Sequence, residues 1–245
     1  MLKKRLKKHF GQHLLVAKGV IKKLVEFMEI EEKDVVVEIG PGTGNLTEEL
    51  LNTPLKRLYL IEIDEDMIRI LKSRFNDRRL QIIHQDAGNF DFSKLGETSL
   101  KVVGNLPYNV ASRILENVVN FNNLISSAFF MLQKEVAIRI EKEASWLSFF
   151  VRTFYEVKYL MSLPPKFFVP PPKVESGFIG LYRREENLKI DPKRLKELLK
   201  KVFSQRRKML KHKVSEEVLL KAGISPTARA EELKVSDIIK LYYTS

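Results

Sequence analysis

Short apolar runs alternate with segments of helical periodicity through the first half of this chain, and this alternation constrains the fold more than any other feature. The predicted strands are residues 35–37, 58–63, 80–84, 100–103 and 128–132, and the predicted helices are residues 16–27, 67–75 and 110–119. Short apolar strands that alternate with amphipathic helices form a mostly parallel sheet covered on both faces. The sequence therefore predicts a Rossmann-like α/β fold, with its ligand site outside the carboxyl ends of the strands.

Two later apolar runs, at residues 157–163 and 178–182, are separated by a proline-rich linker. We expect them to close the sheet as a hairpin-like edge, which gives seven strands. After Arg184 the sequence becomes basic and helix-periodic, with breaks at Gly223 and Pro226. The predicted organisation is a catalytic α/β domain at residues 1–184, opening with a basic tail at residues 1–10, and a small all-α C-terminal domain at residues 185–245.

The chain carries 43 Lys and Arg against 31 Asp and Glu, a net charge of +12, and the excess is concentrated in two segments. Residues 1–8 hold five basic side chains and no acid, and residues 189–213 hold eleven basic side chains against two acids. Such surfaces bind polyanions, because phosphate contacts release counterions. The alternative is a solvated tail and a solvated lysine-rich helix. The candidate RNA-binding residues are Lys3, Lys4, Arg5, Lys7, Lys8, Arg206, Arg207, Lys208 and Lys211, the last four on a predicted basic helix.

Several classes of chemistry are excluded by what the chain lacks. It contains no cysteine, which rules out disulfides, thiolate zinc sites and cysteine nucleophiles. None of its four histidines has neighbours in a triad-like or metal-like pattern, so no metal site is predicted. No apolar stretch approaches the roughly 18 residues that span a bilayer, and we expect a cytoplasmic protein with no membrane partner.

The segment Glu38-Ile39-Gly40-Pro41-Gly42-Thr43-Gly44 lies where a predicted buried strand turns into a helix. Its three glycines allow a tight turn and a close approach of the backbone to a ligand. The alternative is an ordinary strand-to-helix turn, since a single glycine motif has low specificity. The candidate ligand-binding residues here are Glu38, Gly40, Gly42 and Gly44.

Two acidic residues lie at the carboxyl ends of the next two predicted strands. Glu62 lies 22 positions after Gly40, where a carboxylate can accept hydrogen bonds from both hydroxyls of a ribose. Asp86 follows the third strand and is placed to accept a hydrogen bond from an adenine amine. These features predict a nucleoside cofactor, but they do not distinguish nicotinamide dinucleotide from S-adenosylmethionine.

The motif Asn105-Leu106-Pro107-Tyr108 follows the fourth strand and makes that distinction, because it resembles the Asn/Asp-Pro-Pro-Tyr signature of amino-group methyltransferases. The lone pair of adenine's exocyclic nitrogen is delocalised into the ring, so the amine must be held and repolarised before it attacks a methyl group. The Asn105 side-chain carbonyl and a backbone carbonyl near Pro107 can accept both amine protons, while Tyr108 stacks on the base. An Asx-Pro turn with a packed tyrosine is the structural alternative.

Over nearly its whole length the chain resembles the ribosomal RNA adenine dimethyltransferase family, the KsgA-type enzymes. The matching motifs are FGQHLL at residues 10–15, EIGPGTGNLT at 38–47, IEID at 61–64, QDA at 85–87, NLPYN at 105–109, MLQKEVAIR at 131–139, PPPKVESG at 170–177 and FSQRRKML at 203–210. The resemblance implies S-adenosylmethionine as cofactor, and it implies that Phe168 stacks on the target adenine opposite Tyr108. The cofactor contacts that the matching motifs imply are Gln12, His13, Leu15, Gly40, Glu62, Ile63, Asp86, Ala87 and Asn105.

The resemblance also implies a reaction, namely dimethylation of adjacent adenines in small-subunit ribosomal RNA, carried out by a monomer on the immature small subunit. One alternative is a large-subunit ribosomal RNA methyltransferase of the antibiotic-resistance type, which shares the same cofactor motifs. A second is a protein that acts chiefly as a checkpoint in ribosome assembly. Two departures from the family pattern are His13, where asparagine is usual, and a shorter stretch between Arg139 and Leu147.

Overall fold

The structure is a computed structural model, and it describes residues 13–107, 109–185, 188–205 and 208–245. The strands are β1 (Leu14–Leu15), β2 (Val35–Ile39), β3 (Arg57–Glu62), β4 (Leu80–His84), β5 (Leu100–Asn105), β6 (Ile125–Gln133), β7 (Tyr155–Leu163), β8 (Phe168–Val169) and β9 (Ser176–Arg183). The helices are α1 (Lys18–Glu26), α2 (Asn45–Leu51), α3 (Glu65–Arg74), α4 (Ala111–Asn120), α5 (Lys134–Lys142), α6 (Trp146–Phe154), α7 (Pro192–Phe203), α8 (Glu216–Lys221) and α9 (Val235–Thr244).

Seven strands form one sheet in the order β4-β3-β2-β5-β6-β9-β7. Only β9 runs against its neighbours in that sheet, and it lies between β6 and the edge strand β7. The predicted seven-stranded, mostly parallel sheet with a hairpin-like edge is confirmed. From β2 the chain continues to β3 and β4 on one side of the sheet, and then crosses to β5 on the other side of β2. Ligands of open α/β sheets bind where the strand order reverses in this way.

The central strands are continuous apolar runs because helices cover both of their faces. All five residues of β2 are buried, with Val35, Val37 and Ile39 in one hydrophobic core and Val36 in the other. The first core includes apolar residues of α4, α5 and α6, and the second includes those of α1, α2 and α3. This double burial positions the carboxyl ends of β2 and β5 side by side.

After β9, α7 and α9 pack against α6 and α8 packs against α9, and all three helices extend the first of these cores. Asp191 caps α7 by accepting a hydrogen bond from the Arg194 amide at 2.8 Å, and the ring of Phe203 lies 5.5 Å from that of Phe149. The division into two domains at residue 184 stays a prediction. No helix among the described residues is long and apolar enough to cross a membrane.

Two sequence predictions about helices were wrong. The first helix begins at Lys18, and Val16, predicted to lie on its apolar face, is 41% exposed, because Leu14 and Leu15 extend to pair with β8. The prediction of a basic helix around Gln205 is wrong for the described residues: α7 ends at Phe203, and Gln205, Lys208 and Lys211 are not α-helical. Lys208 and Lys211 are exposed, and Arg206 and Arg207 lie outside the described residues.

The connection between α5 and α6, predicted to be short, consists of residues 143–145. The Ser145 hydroxyl accepts a hydrogen bond from the Ser148 amide at 3.2 Å and so caps α6. A serine cap allows a helix to begin at once, without a longer loop.

Candidate active site

The glycine loop after β2 adopts a conformation that requires glycine. Gly40, Gly42 and Gly44 have φ angles of 63°, 57° and 86°, in the left-handed region that other residues rarely adopt. A Cβ on Gly42 would also lie 2.7 Å from Cδ2 of Leu14. The loop is therefore a tight, largely buried turn that packs closely against β1 and has no room for a side chain at Gly42.

Glu62 ends β3 beside this loop and is 5% exposed. Its carboxylate accepts hydrogen bonds from the amides of Ile63 and Asp64, both at 2.9 Å, and from the amide of Gly42 at 3.3 Å. Burial raises the pKa of this carboxyl, and the three amide hydrogen bonds oppose that shift. Glu62 thus fixes the glycine loop against the end of β3 and presents an acceptor at the place predicted for a ribose.

Glu38 lies behind the loop. It is 2% exposed, accepts a hydrogen bond from the Thr47 hydroxyl at 2.7 Å, and has its pKa raised by burial to about 8. It borders a small hollow of about 30 Å³ and is absent from the lining of the main cavity. The structure therefore gives Glu38 a role in joining β2 to α2 through Thr47, and its direct contact with the cofactor stays a prediction.

Asp86, two residues after the end of β4, is held by three partners, one of which is the Asn89 side-chain amide that donates to its Oδ2 at 3.4 Å. Its Oδ1 accepts a hydrogen bond from the Gly88 amide at 2.9 Å, and its Oδ2 forms an ion pair with Arg113 on α4 at 2.6 Å. Arg113 follows the Asn-Leu-Pro-Tyr motif and carries no motif signal of its own, so sequence reasoning missed it.

Asn105 is the last residue of β5, and its side-chain amide donates a hydrogen bond to the backbone carbonyl of His13 at 2.6 Å. This bond directs the amide nitrogen toward His13 and leaves the side-chain oxygen as the acceptor for a substrate. The Pro107 carbonyl accepts hydrogen bonds from the amides of Val110 and Ala111, each at 3.1 Å, and so caps α4. Among the described residues, the neighbouring Leu106 carbonyl has no such donor.

The opening segment and the proline-rich segment meet at the site. β1 pairs antiparallel with β8, and Nδ1 of His13 donates a hydrogen bond to the Pro170 carbonyl at 2.8 Å. Phe168 lies in β8 and is 2% exposed within the second core. Since β8 pairs with β1, the ring packs into this core, and the stacking of an adenine on Phe168 stays a prediction. Tyr108 and Gln12 lie outside the described residues.

A cavity of about 320 Å³ opens over the reversal point of the sheet, within the range of small-molecule sites. Its lining brings together predicted residues from four strand ends, and also includes residues that were not predicted. Leu15, Glu38, Gly44 and Phe168 are not in the lining. The predicted residues that line it are His13, Gly40, Gly42, Glu62, Ile63, Asp86, Ala87, Asn105, Leu106 and Pro107, and the unpredicted polar ones are Gln85, Asn109 and Arg113.

S-adenosylmethionine fits this cavity, because the glycine loop, a buried carboxylate acceptor and a second carboxylate follow one another along it. Within the described ranges, no group of three His, Asp or Glu side chains could hold a metal ion. The sheet order and the cavity over its reversal point place the chain in the class of S-adenosylmethionine-dependent methyltransferases.

The sequence matches the ribosomal RNA adenine dimethylase family over residues 3–244. It is 46% identical to the ribosomal RNA small subunit methyltransferase A of Persephonella marina, over 97% of this chain and 93% of that one. It is 42% identical to the protein of the same name from a Sulfurihydrogenibium species, over 99% of this chain and 97% of that one. The chain belongs to the ribosomal RNA adenine dimethylase family.

Two solved structures share the fold. A dimethyladenosine transferase from Plasmodium falciparum superposes with a TM-score of 0.80 at 27% identity, over 94% of this chain and 96% of that one. The 23S rRNA methyltransferase ErmE superposes with a TM-score of 0.72 at 22% identity, over 94% of this chain and 98% of that one. The second likeness concerns the fold alone.

Proposed function

We propose that this protein is an S-adenosylmethionine-dependent enzyme that dimethylates the exocyclic amine of adenines in small-subunit ribosomal RNA. The observation that carries the proposal is the position of Asn105, at the end of β5 in the same cavity as the glycine loop and Glu62. A residue that can hold the target amine therefore lies beside the residues that would hold the cofactor. This proximity suits direct transfer of a methyl group from the cofactor to the amine.

The cofactor would be held by residues at successive strand ends. The backbone of Gly40 and Gly42 would approach its methionine part, Glu62 would accept hydrogen bonds from the ribose, and Asp86 would accept one from the adenine amine. His13 and Leu15 support the front of the site through β1, with the His13 carbonyl held by Asn105 and its ring held by Pro170. When bound, S-adenosylmethionine supplies a methyl group on a positively charged sulfur.

The target adenine would be oriented by two acceptors. The Asn105 side-chain oxygen and the Leu106 carbonyl accept the two amine protons, which aims the nitrogen lone pair at the methyl group. Pro107 contributes by capping α4, which fixes the loop that carries Leu106. Tyr108 would stack on the base, as its motif predicts. The chain uses no covalent nucleophile in this scheme, since the acceptors act by holding protons in place.

The substrate is proposed to be the immature small ribosomal subunit, bound by a single copy of the chain. Support comes from the names of the relatives that are 42–46% identical, whereas the likeness to ErmE extends only to the fold. The basic segments at residues 1–8 and 189–213 would contact ribosomal RNA phosphates.

Transfer of labelled methyl groups to isolated subunits that lack adenine methylation tests the proposal. We expect label in small-subunit RNA, at adjacent adenines when the modified nucleotides are mapped. Label in large-subunit RNA alone would favour the antibiotic-resistance type of enzyme. Binding to small subunits without any label would favour a checkpoint protein that does not catalyse the reaction.

A further inference from the structure

Arg113 connects the predicted adenine end of the cavity to the helix that follows the acceptor motif. It lies in the first turn of α4 and lines the cavity together with Asp86 and Ala87. Because Asp86 is the residue expected to read the cofactor's adenine amine, a side chain that fixes Asp86 bears directly on cofactor recognition.

The ion pair between Arg113 and Asp86 fixes the orientation of the carboxylate. Arg113 holds Oδ2 at 2.6 Å while the Gly88 amide holds Oδ1 at 2.9 Å. The Asn89 side-chain amide adds a second, longer hydrogen bond to Oδ2 at 3.4 Å. A carboxylate oxygen accepts more than one hydrogen bond, so Oδ1, which has the Gly88 amide as its donor, can still accept from a ligand.

The backbone beside Asp86 is shaped to accommodate this arginine. A Cβ on Gly88 would collide with Nε of Arg113, so the guanidinium lies directly against the glycine. One turn further along α4, the buried Asn117 side chain donates hydrogen bonds to the carbonyls of Ala87 and Phe90, each at 2.9 Å. Two successive turns of α4 therefore hold the segment 86–90.

The position of Arg113 is electrostatically unfavourable without Asp86. A cation in the first turn of a helix opposes the helix dipole, and the first turn of α4 contains no acidic residue. Asp86 supplies the compensating charge from outside the helix. The pair is also partly open to solvent, with side-chain exposures of 50% for Arg113 and 31% for Asp86, so its strength depends on salt.

We propose that Arg113 is a positioning residue that holds the Asp86 carboxylate toward the exocyclic amine of the cofactor's adenine, and that the pair selects a 6-amino purine over a 6-oxo purine. A 6-oxo purine would place its carbonyl oxygen against the fixed carboxylate, where two acceptors meet without a proton between them. This inference rests on the proposed function, because it assumes that the cofactor's adenine reaches Asp86.

Calorimetry with S-adenosylhomocysteine and its deaminated analogue S-inosylhomocysteine tests the proposal on the full chain. For Arg113→Met we expect the Kd for S-adenosylhomocysteine to rise about two- to fivefold, as for a partly exposed ion pair. The preference over the inosyl compound should fall. High salt should weaken binding by the parent protein and leave the variant unchanged, while kcat at saturating cofactor and RNA should remain that of the parent.

Two further variants separate the possible failures. Arg69→Met, which removes an exposed ion pair with Asp66 on α3 away from the cavity, should behave as the parent protein. If Asp86→Asn binds S-adenosylhomocysteine like the parent, the assigned cofactor contact is wrong and the inference falls with it. If Asp86→Asn weakens binding but Arg113→Met keeps the parent's Kd, base preference and salt response, Arg113 has no positioning role.

Discussion

The side-chain amide of Asn105 donates a hydrogen bond to the backbone carbonyl of His13 at 2.6 Å. These residues are 92 positions apart in the chain, so the bond fixes the end of β5 against the opening segment. Since the nitrogen is engaged, the oxygen of the same amide has a defined direction in the cavity.

For Asn105→Ala we expect turnover to fall by about 100- to 1000-fold, because the variant lacks an oriented acceptor in the reacting geometry. RNA affinity should stay close to that of the parent, since one amide does not anchor a ribosomal substrate. Methyl transfer and filter binding measure the two quantities. The matched control is Asn122→Ala, whose amide donates a hydrogen bond to the Val119 carbonyl at the end of α4 and does not line the cavity. An equal loss of affinity and turnover would contradict the assigned role.

Glu62→Ala and Asp86→Ala should each weaken the binding of S-adenosylmethionine. Each change removes a charged acceptor worth roughly 1.5–3 kcal/mol, which corresponds to a Kd about 10- to 100-fold higher. Isothermal titration calorimetry measures this directly. Glu65→Ala, an exposed acid on α3, serves as the control, and unchanged binding by both test variants would overturn the cofactor assignment.

Neutralising Arg206, Arg207 and Lys208 together should weaken binding to small subunits. The slope of the logarithm of the binding constant against the logarithm of the salt concentration should become shallower. The expected change is up to about 0.9 for each duplex phosphate that the variant no longer neutralises. Cofactor affinity should not change, because these residues follow α7 in the sequence and belong to none of the motifs assigned to the cofactor. Neutralising the exposed Arg69, Lys72 and Arg78 changes the net charge equally. The prediction fails if both triple variants give the same salt slope.

Glu38→Gln should change how stability depends on pH. Burial raises the pKa of Glu38 to about 8, above its unfolded value near 4.3, so the folded state binds the extra proton between these values. The stabilising contribution, on the order of a few kcal/mol, is fully present below about pH 4 and is lost as pH rises through 8. Because glutamine does not titrate, urea unfolding from pH 4 to 9 should show the parent losing stability relative to the variant as the pH rises toward 8. A difference independent of pH would disprove it.

Phe203→Ala removes the ring that α7 places against Phe149, and we expect the free energy of unfolding to fall by roughly 3–5 kcal/mol. Since both rings belong to one continuous core, unfolding should remain a single transition by circular dichroism and by the fluorescence of Trp146, the sole tryptophan. Two separated transitions would instead indicate a C-terminal domain that unfolds alone.

Much of the site could be predicted because parallel strands end at one edge of the sheet. Gly40, Glu62, Asp86 and Asn105 each lie at or just beyond the carboxyl end of a predicted strand, and all four line one cavity. Arg113 could not be predicted, since its importance depends on a carboxylate 27 positions away. The two-residue strands β1 and β8 are too short to show periodicity. The burial of Phe168 follows from the pairing of these two strands. The sequence motif around Phe168 therefore could not predict that its ring is buried.

The pairing of β1 with β8 also has a consequence for how the protein is made. His13 and the Pro170 carbonyl that it contacts are separated by 157 positions. At ordinary rates of translation, the first strand leaves the ribosome on the order of ten seconds before its partner exists. During that interval a nascent chain can build the glycine loop but not the front of the cavity, so the ability to retain cofactor arises late in synthesis, after the proline-rich segment has emerged.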